Sequence, residues 1–232
     1  MSKPKTPFIA IEGPDGVGKS TQIRLLSEHF QNKGVATRFI HFPRLNQGLF
    51  GAMIAKFLRG EFGSVESVHP QLVALLFSED RKEFAPTITT WLQQGDCVLV
   101  DRYVYSNIAY QCAKIYEPTA KLALKNWILE LEYGFNKIPK PDLTFYLDVP
   151  SKFTADSLRS KREGLDRIYL QGKDDIHEKD LNLQAAVRME YENLVQTQTG
   201  FIRIVCYNGD GSMKTVEEIH QRILEQIDAF AK

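Results

Sequence analysis

At 232 residues the chain is long enough for one large domain with a sizeable core. Its composition is 43% hydrophobic and 25% charged, with 29 basic residues against 29 acidic ones, which excludes a disordered, collagen-like or tail-driven electrostatic binder. A formal charge of zero leaves no excess of cations for the phosphates of a long duplex, so no nucleic-acid polymer is expected as partner and any phosphate site must be built locally.

The apolar run Phe8 to Ile11 reads as a first strand that ends toward a glycine. Behind it Ile23, Leu26 and Phe30 recur on one helical face, and Gly34 after Lys33 closes the helix. Further strands are predicted over Ala36 to Phe42, Cys97 to Val100, Leu143 to Val149 and Phe201 to Cys206, with helical stretches between them. The clearest helix is the last, where Val216, Ile219, Ile223, Ile227 and Phe230 form an apolar stripe suited to covering a core. Strands that are short and continuously apolar suit a parallel sheet covered on both faces by crossover helices. The expected fold is α/β, three layers α/β/α on a five-stranded parallel sheet, in a single domain over residues 1–232.

Three cysteines, Cys97, Cys112 and Cys206, show no C-x-x-C spacing and read as buried free thiols of a reducing compartment. The five histidines never stand at zinc-ligand spacing. No apolar run approaches the roughly 18 residues of a membrane span, and Met1 to Pro7 lacks the pattern of a secretory signal. The expected location is the cytoplasm, with the nucleus open to it as well.

Residues 13 to 20 read Gly13-Pro14-Asp15-Gly16-Val17-Gly18-Lys19-Ser20 and match G-x-x-x-x-G-K-[ST] at every required position. The segment follows a predicted strand and opens a predicted helix, where backbone N–H groups and the helix N-terminus together bind phosphate. In that reading the glycines bring N–H groups onto phosphate oxygens, Lys19 neutralises the β and γ charge, Ser20 ligates Mg²⁺, and Thr21 completes the nucleotide-binding run. A regulatory GTPase would add N-K-x-D. The Asn-Lys pairs Asn32-Lys33 and Asn136-Lys137 are not followed by that aspartate.

Four further segments fall in order: Phe42-Pro43-Arg44, Leu76-Phe77-Ser78-Glu79-Asp80-Arg81, Asp101-Arg102-Tyr103-Val104-Tyr105-Ser106, and Pro139-Lys140-Pro141-Asp142-Leu143. Phe77 and Arg81, four apart on a predicted helix, share one face and can stack on and read a base. Asp101-Arg102 ends a predicted strand at the sheet edge where ligands collect. Asn107, Tyr110 and Gln111 share a face of the helix that follows.

Together with the phosphate loop, these segments resemble the thymidylate kinase family, P-loop nucleoside monophosphate kinases that phosphorylate dTMP with ATP, over residues from about 8 to 228. The resemblance implies that Phe77 stacks on thymine, Arg81 bonds a base carbonyl, and Ser106, Asn107, Tyr110 and Gln111 border the base and sugar. It implies that Asp15 accepts the deoxyribose 3′-hydroxyl, that Arg102 clamps the acceptor phosphate, and that Ser20 and Asp101 hold Mg²⁺. It also implies that Phe42, Pro43 and Arg44 face the acceptor nucleotide, although relatives place an acidic residue after the proline and the arginine next, whereas here Arg44 comes early and Leu45 follows.

The animal members carry an arginine in the phosphate loop where this chain has Gly16. The run Arg159-Ser160-Lys161-Arg162-Glu163-Gly164-Leu165-Asp166-Arg167, within a lid at about 157–172, resembles that of bacterial-type members, whose lid supplies the arginine. Arg162 is expected to join Lys19, Asp101 and Arg102 in catalysis, and Arg159 to face ATP. The family also implies a homodimer. Rival readings are another nucleoside monophosphate or deoxynucleoside kinase, or an ATP-binding switch protein. The count of arginines near the acceptor favours a monophosphate, which has charge to clamp and needs no general base.

Overall fold

Five short strands pair side by side at the centre of the computed structural model, which describes residues 6–45, 47–150, 153–154, 165–173 and 175–230. The strands β1 (Phe8–Glu12), β2 (Thr37–His41), β3 (Cys97–Asp101), β4 (Leu143–Asp148) and β5 (Phe201–Val205) lie in the order β2-β3-β1-β4-β5, and every pair is parallel. All residues of β1, β3 and β4 are buried, which is why those segments read as unbroken apolar runs, while the edge strand β2 keeps exposed positions.

The strand period of two divides these side chains between two cores. Ile9, Ile11, Leu99, Phe145 and Leu147 point to the side covered by α1 (Lys19–Asn32) and the C-terminal helix Val216–Phe230. Phe8, Ala10, Val98, Val100 and Tyr146 point the other way, with side chains of α3 (Pro70–Gln94), α4 (Val104–Cys112) and α5 (Pro118–Leu129). A smaller cluster joins Ile54, Phe57 and Leu58 of α2 (Gly48–Leu58) to Val73 of α3 and to Tyr169 and Leu170. The latter two lie in a 3₁₀ turn over Leu165–Leu170, after which come α6 (Ile176–Lys179) and α7 (Leu181–Thr197). The expected three-layer α/β/α fold with a five-stranded parallel sheet is present.

One expectation needs correction. Of the apolar stripe on the C-terminal helix, α8 (Val216–Phe230), Ile219, Ile223 and Ile227 are buried, but Val216 and Phe230 remain 41% and 45% exposed. The 15-residue helix is about 22 Å long and the five-residue strands beside it about 17 Å, so its two ends overhang. The three cysteines are free and buried as expected, and burial pushes each thiol up to about 12.

Ile223→Ala is expected to lower unfolding free energy by about 2 to 4 kcal/mol through the cavity it leaves, whereas Phe230→Ala should cost well under about 1 kcal/mol. Urea titrations of both variants check the difference, and equal losses would contradict this assignment of the buried stripe.

Candidate active site

β1 ends at Glu12, and the chain leaves the sheet through Gly13 to Gly18 before α1 begins at Lys19. Gly18, at the helix start, has φ of 92°, a left-handed conformation that a side chain would strain. Ser20, in the first turn, is exposed to the site. Lys19 folds back over the loop, donating from Nζ to the carbonyls of Pro14 at 2.7 Å and Gly13 at 3.3 Å. Burial and the neighbouring Arg102 draw its ammonium below its ordinary pKa, against the opposing pull of Asp101 and Asp15.

Parallel pairing sets Ile11 beside Asp101 and His41 beside the same Asp101, so the ends of β1, β2 and β3 meet at one edge. Burial by itself would raise the Asp101 carboxyl, but Lys19, 3.9 Å away, and His41, 3.2 Å away, hold it below the usual carboxylate range. Its Oδ1 is buried with no hydrogen-bond partner among the described residues.

Arg102 then turns the chain with φ of 65°, a left-handed backbone that costs a non-glycine residue about 1 to 3 kcal/mol. What holds it there is a set of bonds: its N–H donates to Ile11 at 2.9 Å and its guanidinium meets Asp15 at 3.0 Å, Ser106 at 3.2 Å and Tyr110 at 3.4 Å. Beneath it, buried Glu12 accepts from the N–H groups of Tyr103 and Ser106 at 2.9 and 3.2 Å, from the Ser106 hydroxyl, and from Tyr191 at 3.1 Å. Burial raises the Glu12 carboxyl even so.

The second wall comes from α3 and α4. Half-buried Phe77 faces the space, and Arg81, one turn on, is fully buried. Glu132 takes Nε of Arg81 at 3.0 and 3.2 Å and also Nη2. Glu132 lies where α5 widens into a π-helical stretch, Glu130–Phe135, with the N–H of Asn136 bonded to the carbonyl of Leu131 at 2.8 Å. Asn107 spends its NH₂ on the Ala74 carbonyl at 3.0 Å, and its Oδ1 stays buried without a partner among the described residues.

These walls enclose one cavity of about 920 Å³, running from Asp15, Gly16, Gly18, Lys19, Ser20 and Thr21 to Phe77, Arg81, Asn107, Tyr110 and Gln111. That volume suits a nucleotide-sized ligand.

The family model of thymidylate kinase matches residues 11–223 of the chain. The thymidylate kinase of Plasmodium falciparum is 33% identical over 195 residues, covering 81% of this chain and 86% of that protein. The probable thymidylate kinase of Pyrococcus abyssi is 32% identical over 219 residues, covering 94% and 93%. The solved thymidylate kinase of Candida albicans superposes with a TM-score of 0.71 at 27% identity, covering 100% of this chain and 96% of that one. The chain belongs to the thymidylate kinase family. Its reaction is phosphorylation of dTMP by ATP.

Of the residues singled out in the sequence for this thymidylate kinase chemistry, the cavity lining brings together Asp15, Gly16, Gly18, Lys19, Ser20, Thr21, Phe42, Pro43, Phe77, Arg81, Asp101, Arg102, Ser106, Asn107, Tyr110 and Gln111. Gly13, Pro14 and Val17 are buried behind that surface as the frame of the loop. Arg44 departs from expectation: Leu45 lines the cavity, while the Arg44 guanidinium is held by Asp80 and Glu83, each at 3.0 Å. Gly51 of α2 seats that loop, since a Cβ there would stand 2.1 Å from the Arg44 carbonyl. Arg159 and Arg162 lie outside the described residues.

Sequence reasoning missed five side chains. His41 and Glu132 are carried by a strand end and a helix distortion that have no local signal. Tyr169, near the end of the lid segment, and Asp175 and His177, just after it, also enter the lining. Asp175 accepts from Tyr169 at 2.7 Å and caps α6 through the His177 N–H at 2.8 Å, and burial pushes its carboxyl up to about 6.

A carboxyl whose folded pKa is raised stabilises the fold at low pH and loses that contribution as pH climbs toward 6. Asp175→Asn, which cannot ionise, should therefore gain about 2 to 3 kcal/mol relative to the parent between pH 4 and pH 7.5. Urea unfolding of both proteins at the two pH values reads this directly, and a difference independent of pH would refute it.

Proposed function

We propose that the γ-phosphoryl group of ATP passes in line to the 5′-phosphate of dTMP inside the single cavity that joins the phosphate loop to the Phe77–Arg81 wall. The observation that carries this reading is the continuity of that cavity, with the phosphate-loop residues lining one end and Phe77, Arg81 and Asn107 lining the other. The Phe77 ring supplies a stacking plane. With Glu132 holding Nε and Nη2 of Arg81, its Nη1 remains as a donor for a carbonyl oxygen, and Asn107, on α4, has an Oδ1 without a hydrogen-bond partner among the described residues as an acceptor. A donor and an acceptor on these two helices suit the neighbouring carbonyl and N–H of thymine.

Arg102 is placed to hold the acceptor phosphate. Its pairing with Asp15 ties the sugar end of the acceptor to the phosphate loop, which serves both substrates. The acceptor is already anionic, so the residues orient groups and stabilise charge, and no strong base is required. Lys19 leaves its loop carbonyls to meet the β and γ oxygens, and Arg162, assigned from the lid pattern, adds charge on closure.

Ser20 and Asp101 would hold Mg²⁺. An exposed hydroxyl and a carboxylate with one oxygen that accepts no hydrogen bond among the described residues suit a cation that keeps phosphate and water among its ligands. Bound with ATP, the ion neutralises charge on the β and γ phosphates.

ADP formation from MgATP, with dTMP, dUMP, dCMP, dGMP, AMP and thymidine offered separately, should be strong with dTMP and weaker with dUMP. Preferred turnover of thymidine or of a purine nucleotide would void the acceptor-wall assignments. Phe77→Ala should raise the KM for dTMP at least about tenfold with the KM for ATP within about twofold, since removal of an aromatic stacking plane costs about 1 to 3 kcal/mol per base. An unchanged KM for dTMP would remove Phe77 from the acceptor site.

A further inference from the structure

Beyond the groups assigned above, one cation close to the acceptor wall has no role in the chemistry. Lys114 follows the end of α4, one turn beyond Gln111, and its Nζ donates to Gln111 Oε1 at 2.9 Å. The same ammonium lies 5.1 Å from the centre of the Phe57 ring, on α2. No carboxylate among the described residues pairs with it, in contrast to Arg44, Arg81 and Arg102. Burial draws its pKa down to about 7.

Holding a cation in this setting costs stability, so packing alone does not account for a lysine here. What the ammonium does impose is direction. As an ammonium it donates and cannot accept, so while it is protonated the atom of the Gln111 amide that meets it is the oxygen. Gln111 is buried to 1% exposure yet lines the cavity. With Oε1 taken, the amide end left for a ligand is its NH₂.

We infer that Lys114 is a positioning residue for the acceptor: it fixes the Gln111 amide so that a donor, rather than an oxygen, is offered to the acceptor nucleotide. The inference rests on the placement of dTMP against the Phe77–Arg81 wall. Without Lys114 the amide is free to turn over, and an oxygen acceptor on the ligand then meets an oxygen for part of the time. The effect belongs to acceptor binding. ATP affinity and the transfer step lie outside its reach.

The test uses the full-length protein with Lys114→Met, Gln111→Leu, the double variant and Lys114→Arg, measuring the Kd of dTMP, kcat, the KM for ATP and the Tm. Lys114→Met should weaken dTMP binding about fivefold to tenfold, with kcat and the KM for ATP within about twofold and Tm unchanged or higher. In the Gln111→Leu background the same change should have no further effect, because its target is gone. Lys114→Arg, which keeps a donor, should retain most of the affinity.

An unchanged Kd in Lys114→Met overturns the inference. So does an equal loss in the Gln111→Leu background, or a loss in Lys114→Arg as large as in Lys114→Met. A fall in Tm of several degrees alongside the loss of affinity would make Lys114 a structural residue instead. If Gln111→Leu itself leaves dTMP binding intact, the inference falls with the placement of Gln111, whereas weakened binding in Gln111→Leu with none in Lys114→Met overturns the inference and leaves that placement standing.

Discussion

Because β1 pairs in parallel with β3, with Ile11 opposite Asp101, the chain leaves both strands at the same edge of the sheet and within reach of the same ligand. One exit becomes the phosphate loop and the other the Asp101–Arg102 turn. More than eighty residues of chain separate them, and the hydrogen-bond ladder sets their distance. The N–H of Arg102 donating to Ile11 carries that ladder one step beyond the strand, which is how a strained backbone and a buried guanidinium come to rest against Asp15. Parallel sheets with crossover helices place ligands at this edge as a matter of topology.

The same edge concentrates charge in low-dielectric surroundings, and its arginines and Asp101 each have a partner of opposite charge. Arg81 has Glu132, Arg102 has Asp15, Arg44 has Asp80, and Asp101 has Lys19 and His41. Buried ion pairs of this kind bring little net stability and are costly to break on one side. Their value here is geometric. Glu132 takes the Nε–Nη2 edge of the Arg81 guanidinium and so decides which nitrogen remains for a ligand, just as Glu12 collects four donors and thereby fixes the first turn of α4. The arginine that does depart from the expected arrangement, Arg44, follows the same rule in reverse: Asp80 and Glu83 of α3 hold it, and it ties the β2–α2 connection to α3 rather than lining the cavity.

Much of the site was legible in the sequence because its signals are local. A phosphate loop is a contiguous run whose glycines are needed for backbone geometry, and Phe77 with Arg81, or Asn107 with Tyr110 and Gln111, are matched by helical spacing alone. The strands that carry them announced themselves as short apolar runs, since each is buried on both faces. Where the pattern overreached, at Val216 and Phe230, the cause was length: a helical stripe records which face is inward but not how far the partner surface extends.

Glu132, His41, Asp175 and His177 had no such signal. Glu132 depends on a π-helical widening, His41 on being the last residue of an edge strand in register with Asp101, and Asp175 and His177 on a chain segment that returns to the cavity from beyond the lid. The amino-acid sequence by itself determined the fold class, the phosphate loop and the family, because these rest on periodicity and contiguous motifs that short-range backbone physics enforces. Which charge faces which, and which arginine is spent on structure, were decided only by the tertiary structure, since each depends on distances between segments that the chain joins through tens of residues.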